Sequence, residues 1–338
     1  MITFSSIRQK EEIKNLSFLM NNRTFGVNPY DMSIITITSC PICGCNDLKK
    51  AFNAVDHFAT GEVFPVCRCS RCGFHLTNDF PSEDIIGQYY DSPDYISHSD
   101  SKKGLIHRLY HFFRKRMLRK KISLVASQAT GNPIRLLEIG CGTGHFLEAA
   151  KKEGWLVSGI EKDEKARKSA INRTGLQVKK EDEFWLLENN SFNVVTLWHV
   201  LEHLEKLNET IHKIGEITTP DGIVVIALPN CHSYDAGFYK ELWAAYDIPR
   251  HLWHFTPATV EELLSKHGLT IIKKISMPLD AFYISLLSEK YRGSNLFIRY
   301  GRAFGVGTIG FLRSLSNPAQ ASSLIYIAKK SEETNRKE

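Results

Sequence analysis

The sequence lacks any long uninterrupted apolar run. Its longest runs, such as residues 223–228, fall far short of the roughly 18 residues that a membrane-spanning helix needs. The first residues also lack the basic-then-apolar order of a secretory signal. These absences predict a cytoplasmic protein without a transmembrane segment. Residues 1–39, which precede the first cysteine pair, are predicted to be an N-terminal extension.

Acidic residues are missing from one stretch of the chain. Between Lys102 and Lys121 lie nine Lys or Arg residues and no Asp or Glu, whereas the net charge of the whole chain is only +6. Residues 76–130 are therefore predicted to be a linker followed by a basic amphipathic helix. Its basic side could contact an anionic membrane surface peripherally or hold a phosphorylated substrate. The preferred interpretation is a helix packed on the catalytic domain with a solvated charged face.

Cysteine is concentrated near the start, with six of the eight cysteines between residues 40 and 72. Two C-x-x-C-G motifs separated by 25 residues have the spacing of a zinc ribbon. Four thiolates fill a tetrahedral Zn²⁺ site completely, so a structural zinc is predicted in a module at residues 40–75. The predicted ligands are Cys40, Cys43, Cys69 and Cys72.

Two further cysteines of this segment, Cys45 and Cys67, are spare, and Cys67 is an alternative to Cys69 as a ligand. Disulfides are the weaker interpretation for an apparently cytosolic protein. The segment shows little interleaving of basic and aromatic residues, so a scaffold role is favoured over contact with nucleic acid.

Residues 134–147, IRLLEIGCGTGHFL, predict an apolar strand, a turn with glycines at alternate positions, and a helix from about His145. Glycines let a ligand approach the backbone, and the helix start offers free N–H groups, so a nucleotide-binding turn is expected. A dinucleotide fingerprint requires G-x-G-x-x-G. The sixth position from Gly140 or Gly142 is His145 or Leu147, so that fingerprint is absent.

The pattern E-x-G-x-G-x-G, from Glu138 to Gly144, resembles motif I of the class I S-adenosylmethionine (SAM) methyltransferases. The segment SFNVVTLWHVLEHLEK at 191–206 resembles the S-F-D-x-V and V-L-E-H segment of that family, with Asn193 in place of the usual Asp. The resemblance covers roughly residues 40–330 and extends to bacterial members with the same cysteine-rich head. It implies a SAM-dependent methyltransferase.

The resemblance also implies the cofactor site. Glu138 and the glycine turn would hold the methionine part of SAM, and Asp182 would meet the adenine amino group. Glu161 follows the second predicted strand, where an acidic residue can accept hydrogen bonds from ribose hydroxyls. Trp198 and His199 lie at the carboxyl end of the fourth predicted strand, where ligands bind in such folds. The full predicted set is Glu138, Gly140, Cys141, Gly142, Gly144, Glu161, Asp182, Trp198 and His199.

From the glycine turn onward, strands and helices alternate, which predicts an α/β fold with helices on both faces of a parallel sheet. The predicted domain, residues 131–330, has a Rossmann-like sheet of seven strands that is mostly parallel with an antiparallel edge strand. Residues 281–322 are predicted to be an insertion between the last two strands. This insertion could shape an acceptor site, meet a membrane surface or cover the sheet. Residues 331–338 are predicted to be a disordered tail.

His199, Glu202 and His203 are spaced so that a helix beginning there would present them on one face. A related pattern, with Glu first, is a divalent-metal site in the O-methyltransferases of ubiquinone biosynthesis. With His199 at the first position, three interpretations stay open: a metal site, a base or substrate contact, and helix capping.

The segment 243–257, with the core P-R-H-L-x-H-F-T-P, resembles the lid region of the bacterial methyltransferases that carry the cysteine-rich head. A hydroxyl acceptor must lose its proton, and a His of near-neutral pKa can take it. His251 is the first candidate for this base and His199 the second. Arg250 and His254 are predicted substrate contacts, and the alternative is that these residues pin the lid by hydrogen bonds.

The predicted function is methyl transfer from SAM to a small-molecule acceptor, such as a sugar, a lipid-linked glycan or another secondary metabolite, by O- or C-methylation. One alternative is an RNA methyltransferase whose ribbon and basic helix bind phosphates, and it predicts strongly salt-dependent RNA binding. Another is a SAM-binding module without turnover. The sequence predicts neither the acceptor atom nor the oligomeric state.

Overall fold

The computed structural model describes residues 34–90 and 105–331, and for residues 105–113 it describes the backbone alone. Most of the predicted extension at 1–39 and nearly all of the predicted tail at 331–338 lie outside the described residues, and both stay predictions.

The chain forms strands in two main sheets and a small pair. The strands are β1 (Ile34–Ile35), β2 (Leu48–Val55), β3 (Val63–Cys69), β4 (His75–Thr77), β5 (Phe80–Pro81), β6 (Arg135–Ile139), β7 (Leu156–Ile160), β8 (Val178–Lys179), β9 (Phe192–Trp198), β10 (Thr218–Pro229), β11 (Trp253–His254), β12 (Leu269–Ser276) and β13 (Ser323–Lys330). The α-helices are α1 (Leu105–Ala126), α2 (His145–Lys152), α3 (Glu164–Thr174), α4 (Leu207–Ile217), α5 (Tyr234–Tyr239), α6 (Pro257–Lys266), α7 (Asp280–Tyr291) and α8 (Leu296–Ser316).

The larger sheet has seven strands in the order β12-β13-β10-β9-β6-β7-β8, and the pairs from β10 to β8 are all parallel. Its central strand β9 is buried along six of its seven residues, as expected for a strand covered on both faces. The predicted α/β methyltransferase fold is confirmed. Because β9, β6 and β7 are parallel neighbours, their carboxyl ends lie together at one edge of the sheet, which is called the carboxyl edge below.

The ends of this sheet differ in detail from the prediction. β13 is antiparallel to both of its neighbours and lies between β10 and β12, so β12 is the outermost strand. At the other end, β8 covers only two residues, because only Val178 and Lys179 pair with β7. An edge strand pairs on one side only, and a local apolar pattern does not reveal how far that pairing extends.

The smaller sheet belongs to the cysteine-rich head, and it is antiparallel in the order β11-β4-β3-β2. Its fourth strand, β11, comes from the lid segment far along the chain. Thr77 fixes this junction: its N–H donates to Leu252 O at 2.9 Å and its Oγ1 donates to His251 O at 2.6 Å. Buried residues of the head and of the large sheet also form one continuous core. The domain boundary predicted after residue 75 stays a prediction. The lid nevertheless contributes the strand β11 to the sheet of the head.

The predicted insertion at 281–322 consists mainly of α7 and α8, which pack as a helical hairpin. The two helices approach closely at Gly307, where an added Cβ would lie 2.6 Å from Phe282 Cδ1. Asp280, the first residue of α7, reaches the carboxyl edge of the large sheet, where its Oδ2 lies 4.0 Å from His199 Nε2. The hairpin therefore forms one wall at this edge of the sheet.

Candidate active site

The glycine turn between β6 and α2 has a left-handed backbone at all three glycines, with φ of +66° at Gly140, +54° at Gly142 and +78° at Gly144. An added Cβ at Gly140 would lie 2.5 Å from Val200 Cγ2, and one at Gly144 would lie 3.0 Å from Ala170 Cα. At Gly142 an added Cβ would meet nothing within 4 Å. Gly140 and Gly144 thus permit close packing, whereas Gly142 faces open space where a ligand could approach the backbone.

Glu138 lies in β6 immediately before this turn and is only 4% exposed. Among the described residues, its Oε2 has no hydrogen-bond partner. Burial raises the pKa of this carboxyl to about 8, although the nearby Lys121 ammonium acts in the opposite direction. A buried polar oxygen without a partner is costly in a folded protein, so it points to a polar group that completes the site.

Lys121 enters the same space from α1. Its Nζ lies 4.0 Å from the centroid of the Trp198 ring. Burial lowers the pKa of Lys121 to about 8, while Glu138 and Asp280 act to raise it. From the sequence, this lysine is expected on the basic side of the helix, and its position in the site was not predicted. The available signal was its helical spacing from Leu118 and Val125, which lie on the packed face of α1.

Trp198 closes the opposite side of the turn. Its ring packs edge-on against Phe146 with centroids 5.5 Å apart, and its Nε1 has no hydrogen-bond partner among the described residues. Cys141 turns inward, where its buried Sγ approaches Gly159. Its contribution is the backbone, because its N–H donates to Ile160 O at 3.0 Å and holds the turn against β7.

Glu161 follows β7, as predicted. Its Oε2 accepts a hydrogen bond from Gly142 N at 2.6 Å, and its Oε1 accepts one from Asp163 N at 2.9 Å. A carboxylate has about four acceptor positions, so two remain for a ligand. Asp182 lies beyond β8 in the short 3₁₀ helix Glu181–Phe184, with its side chain exposed. The roles of both residues stay predictions.

A second group of polar side chains lies beyond the end of β9. Glu202, His203 and His251 each offer a ligand atom, and these atoms lie within 4.8 Å of one another. Glu202 is completely buried, and neither carboxylate oxygen has a hydrogen-bond partner among the described residues. His203 Nδ1 lies 2.9 Å from Arg250 O, and His251 Nδ1 lies 2.9 Å from Ala245 O. Each Nδ1 therefore donates to a carbonyl and fixes the orientation of its ring, which is how proteins orient metal-binding or proton-accepting imidazoles.

His199 lies beside this group but not in a helix. Its φ is +58°, and only the following residues, Leu201–His203, form a 3₁₀ turn. The predicted helix with three side chains on one face is therefore wrong, and His251 from the lid takes the third position. His199 Nδ1 still lies 3.5 Å from Glu202 Oε1.

The charges of this group are set by burial and by neighbours. Burial and His251 lower the pKa of His203 to about 4, so its ring is neutral near neutral pH. Burial alone would raise the pKa of Glu202, but His199 and the other two imidazoles lower it below its ordinary value. Burial alone would lower the pKa of His199, but Glu202 and Asp280 raise it. The group thus combines a carboxylate with at least one neutral imidazole.

The two predicted substrate contacts are bonded within the protein instead. The Arg250 guanidinium donates to Asp247 at 2.6 and 3.0 Å, to Asp56 Oδ1 at 3.1 Å and to Tyr89 O at 2.7 Å. It is 4% exposed and joins the lid to the head. His254, also buried, has its Nε2 3.0 Å from Thr77 Oγ1. The hydrogen-bonding alternative for these lid residues describes them better than substrate binding.

The four predicted zinc ligands lie together in the head. Cys40 Sγ is 3.6 Å from Cys72 Sγ, and Cys43 Sγ is 3.5 Å from Cys69 Sγ. All four sulfur atoms lie within 4.8 Å of one another, and the cysteines form no disulfide. Tetrahedral Zn–S bonds of about 2.3 Å place sulfurs about 3.8 Å apart, close to these distances.

Comparisons with known proteins agree with this geometry. Residues 110–274 match a family model described as a methyltransferase domain. The ubiquinone biosynthesis O-methyltransferase of Rickettsia typhi is 28% identical over 228 residues, covering 58% of this chain and 89% of that protein. The enzyme of the same name from Azoarcus sp. is 29% identical over 119 residues, covering 33% of this chain and 51%, about half, of that protein.

A solved structure of magnesium protoporphyrin IX methyltransferase from Synechocystis PCC 6803 with bound SAH is 15% identical, with a TM-score of 0.48, and the match covers 74% of this chain and all of that one. The family model, the sequence relatives and the glycine turn at the carboxyl edge of the seven-stranded sheet lead to one conclusion. The chain belongs to the class I SAM-dependent methyltransferases.

Proposed function

We propose that this enzyme transfers the methyl group of SAM to an oxygen atom of a small-molecule acceptor, and that the acceptor hydroxyl binds next to Glu202, His203 and His251. The observation that carries the proposal is the buried Glu202 carboxylate, which accepts no hydrogen bond among the described residues and has an oxygen within 4.8 Å of ligand atoms of His203 and His251. The names of the sequence relatives, which are O-methyltransferases, support oxygen over carbon as the acceptor atom.

The residues around the glycine turn fit SAM. The open space at Gly142 would let SAM approach the backbone of the turn. Glu138 and Trp198 each offer a buried polar atom without a hydrogen-bond partner among the described residues. Glu161 would use its remaining acceptor positions for the ribose hydroxyls, and Lys121, whose Nζ lies 4.0 Å from the centroid of the Trp198 ring, would pair with the carboxylate of the methionine part. When bound, SAM supplies an electrophilic methyl group on a sulfonium. Alignment by the protein accounts for most of such catalysis, worth up to about 7–11 kcal/mol.

Glu202, His203 and His251 would promote loss of the proton from the acceptor hydroxyl. His251 Nε2 lies 3.9 Å from Asp247 Oδ2, so its ring is held on one side by Ala245 O and faces a carboxylate on the other. In one version His251 is the general base that takes the hydroxyl proton, with His199 as the second candidate. In the other, Glu202, His203 and His251 would hold a divalent metal ion that lowers the pKa of the bound hydroxyl.

The test is turnover of labelled SAM with a panel of phenols, sugars, lipid-linked glycans and other secondary metabolites. We expect Glu202→Gln and His251→Gln to lower kcat by about 10²–10⁴, the usual contribution of acid–base catalysis, with little change in the Kd for SAM. His212→Gln is the matched control, because this exposed histidine lies on α4, outside the group. Wild-type kcat in the His251 variant would refute the proposed role.

Metal analysis separates the two versions. If the group holds a metal, wild-type protein should carry one equivalent more than the His251→Gln and Glu202→Gln variants. The head provides an internal reference, because it should keep its metal in every variant. Equal metal content in all three proteins would leave general-base catalysis as the mechanism.

We also propose that Cys40, Cys43, Cys69 and Cys72 bind a structural zinc ion. The sulfur–sulfur distances support this, and four thiolates leave no open position for catalysis. Zinc would then stabilise the head sheet and, through β11, the lid. Binding of structural zinc contributes roughly 10–16 kcal/mol of folding free energy in comparable modules.

A further inference from the structure

The α7–α8 hairpin is held by a buried acid at its turn. Glu289 is 0% exposed, accepts a hydrogen bond from Ser294 Oγ, and lies 3.5 Å from the guanidinium groups of Arg292 and Arg302. On the inner side of α8, small residues such as Ala303 and Gly310 are buried. The hairpin is therefore a fixed element with a defined outer face.

The outer face of α8 is apolar where a soluble helix is normally polar. Phe297 is 91% exposed and Phe304 is 68% exposed in the described part of the chain. At 100° per residue, these two side chains point in nearly the same direction, and Leu315 follows at the same angle. The exposed apolar side chains of α8 are Leu296, Phe297, Ile298, Tyr300, Phe304, Ile309, Leu312 and Leu315.

The charge around this face has a single sign. The chain has no Asp or Glu from Lys290 to Ser331. Arg302 and Arg313 are exposed on α8 and lie along one border of the apolar face by helical spacing; Arg302 also contacts the buried Glu289, whereas Arg313 lies over the Tyr234 ring. None of the helices in the described part of the chain combines the length and the hydrophobicity that a membrane span requires. An apolar face bordered by arginines and free of acids is the pattern of a helix that lies in the interface of an anionic bilayer.

We propose that the outer face of α8 docks this enzyme on the surface of an anionic lipid bilayer. A second copy of the chain is the less suitable occupant, because two such faces would bring their arginines together with no acidic residue of α8 to balance them. The membrane also suits the position of the hairpin, since Asp280 at the start of α7 approaches His199. Docking would therefore hold the acceptor side of the site near the lipid surface.

The test is co-sedimentation of the full-length protein with vesicles of phosphatidylglycerol and phosphatidylcholine in equal parts, and with vesicles of phosphatidylcholine alone. We expect binding to the mixed vesicles that weakens with added salt, and much weaker binding to the neutral ones. Phe297→Asp and Phe304→Asp should each weaken binding at least tenfold, because burial of a phenylalanine corresponds to more than one factor of ten in partition.

Leu156→Asp is the matched control, because this leucine is also exposed, at 57%, but lies at the opposite end of the large sheet. It should bind vesicles like the wild type, and all variants should keep the wild-type melting temperature. The proposal is overturned if the wild type ignores the mixed vesicles, or if Phe297→Asp binds as the wild type does. It is also overturned if ultracentrifugation finds a dimer that Phe297→Asp dissociates, or if that variant lowers the melting temperature, since another part of the chain would then cover the face.

Discussion

Substitution of Gly142 by alanine tests whether the glycine turn is a ligand site. The added Cβ would meet no protein atom within 4 Å, so it would project into the open space of the turn. A left-handed backbone costs a residue with a Cβ about 1–2 kcal/mol, which lowers the stability of the variant whether or not a ligand binds there. If SAM fills this space, the methyl group also overpacks the complex by about 1–3 kcal/mol, which is a roughly fivefold to 150-fold higher Kd.

Gly154→Ala is the matched control for the backbone cost. Gly154 has φ of +83° and also meets nothing within 4 Å, but it lies in the turn between α2 and β7 at the other end of the sheet. Urea unfolding should show similar losses of stability for the two variants, and calorimetric titration with SAM should show weaker binding only for Gly142→Ala. The reasoning fails if Gly142→Ala binds SAM with wild-type affinity, or if Gly154→Ala weakens binding equally.

Three further predictions concern the head and its junction with the lid. Cys43→Ser should lose the zinc equivalent measured by plasma emission and unfold the head, whereas Cys45→Ser should keep the metal. Burial lowers the pKa of His75 to about 4 from 6.5, so the stability due to its neutral form is complete above pH 6.5 and is lost as the pH falls towards 4. Unfolding curves of wild type and His75→Asn should therefore converge with acid, by roughly 3 kcal/mol; parallel curves would contradict this. Arg250→Ala should cost about 3–5 kcal/mol of unfolding free energy, because the buried Asp56 carboxylate would lose its guanidinium partner and keep only the hydrogen bonds from residues 58–60, and Asp56→Asn in the same background should recover part of the loss.

The features that the sequence predicted correctly are encoded over short stretches. The turn at Gly140–Gly144, the acid after β7 and the strand that ends at Trp198 each depend on a run of adjacent residues, and the structure has all three. The paired C-x-x-C motifs are local in the same sense, because each brings two sulfurs to one side of its own turn. That the two motifs lie together in one cluster was predicted from the four ligands that a structural zinc ion requires.

The features that the sequence did not predict are contacts between distant residues. Arg250 has the chemistry of a substrate contact, but Asp56, 194 residues earlier, occupies its guanidinium. Lys121 has the chemistry of a surface residue, but α1 turns it towards Glu138. His251 joins Glu202 only because the lid folds back over the end of β9. No periodicity or spacing in one chain encodes which of several polar side chains will find a partner across the fold.

The pairing of β11 with β4 makes the head a structural support of the lid. His251 lies two residues before β11, and Thr77 of β4 holds its carbonyl oxygen. A shortened protein beginning after the head would keep every strand of the large sheet yet leave the lid without the neighbour that fixes its path. We therefore expect a shortened protein that begins at β6 to lose the path of the lid, whereas one that begins at the cysteine pairs should keep it.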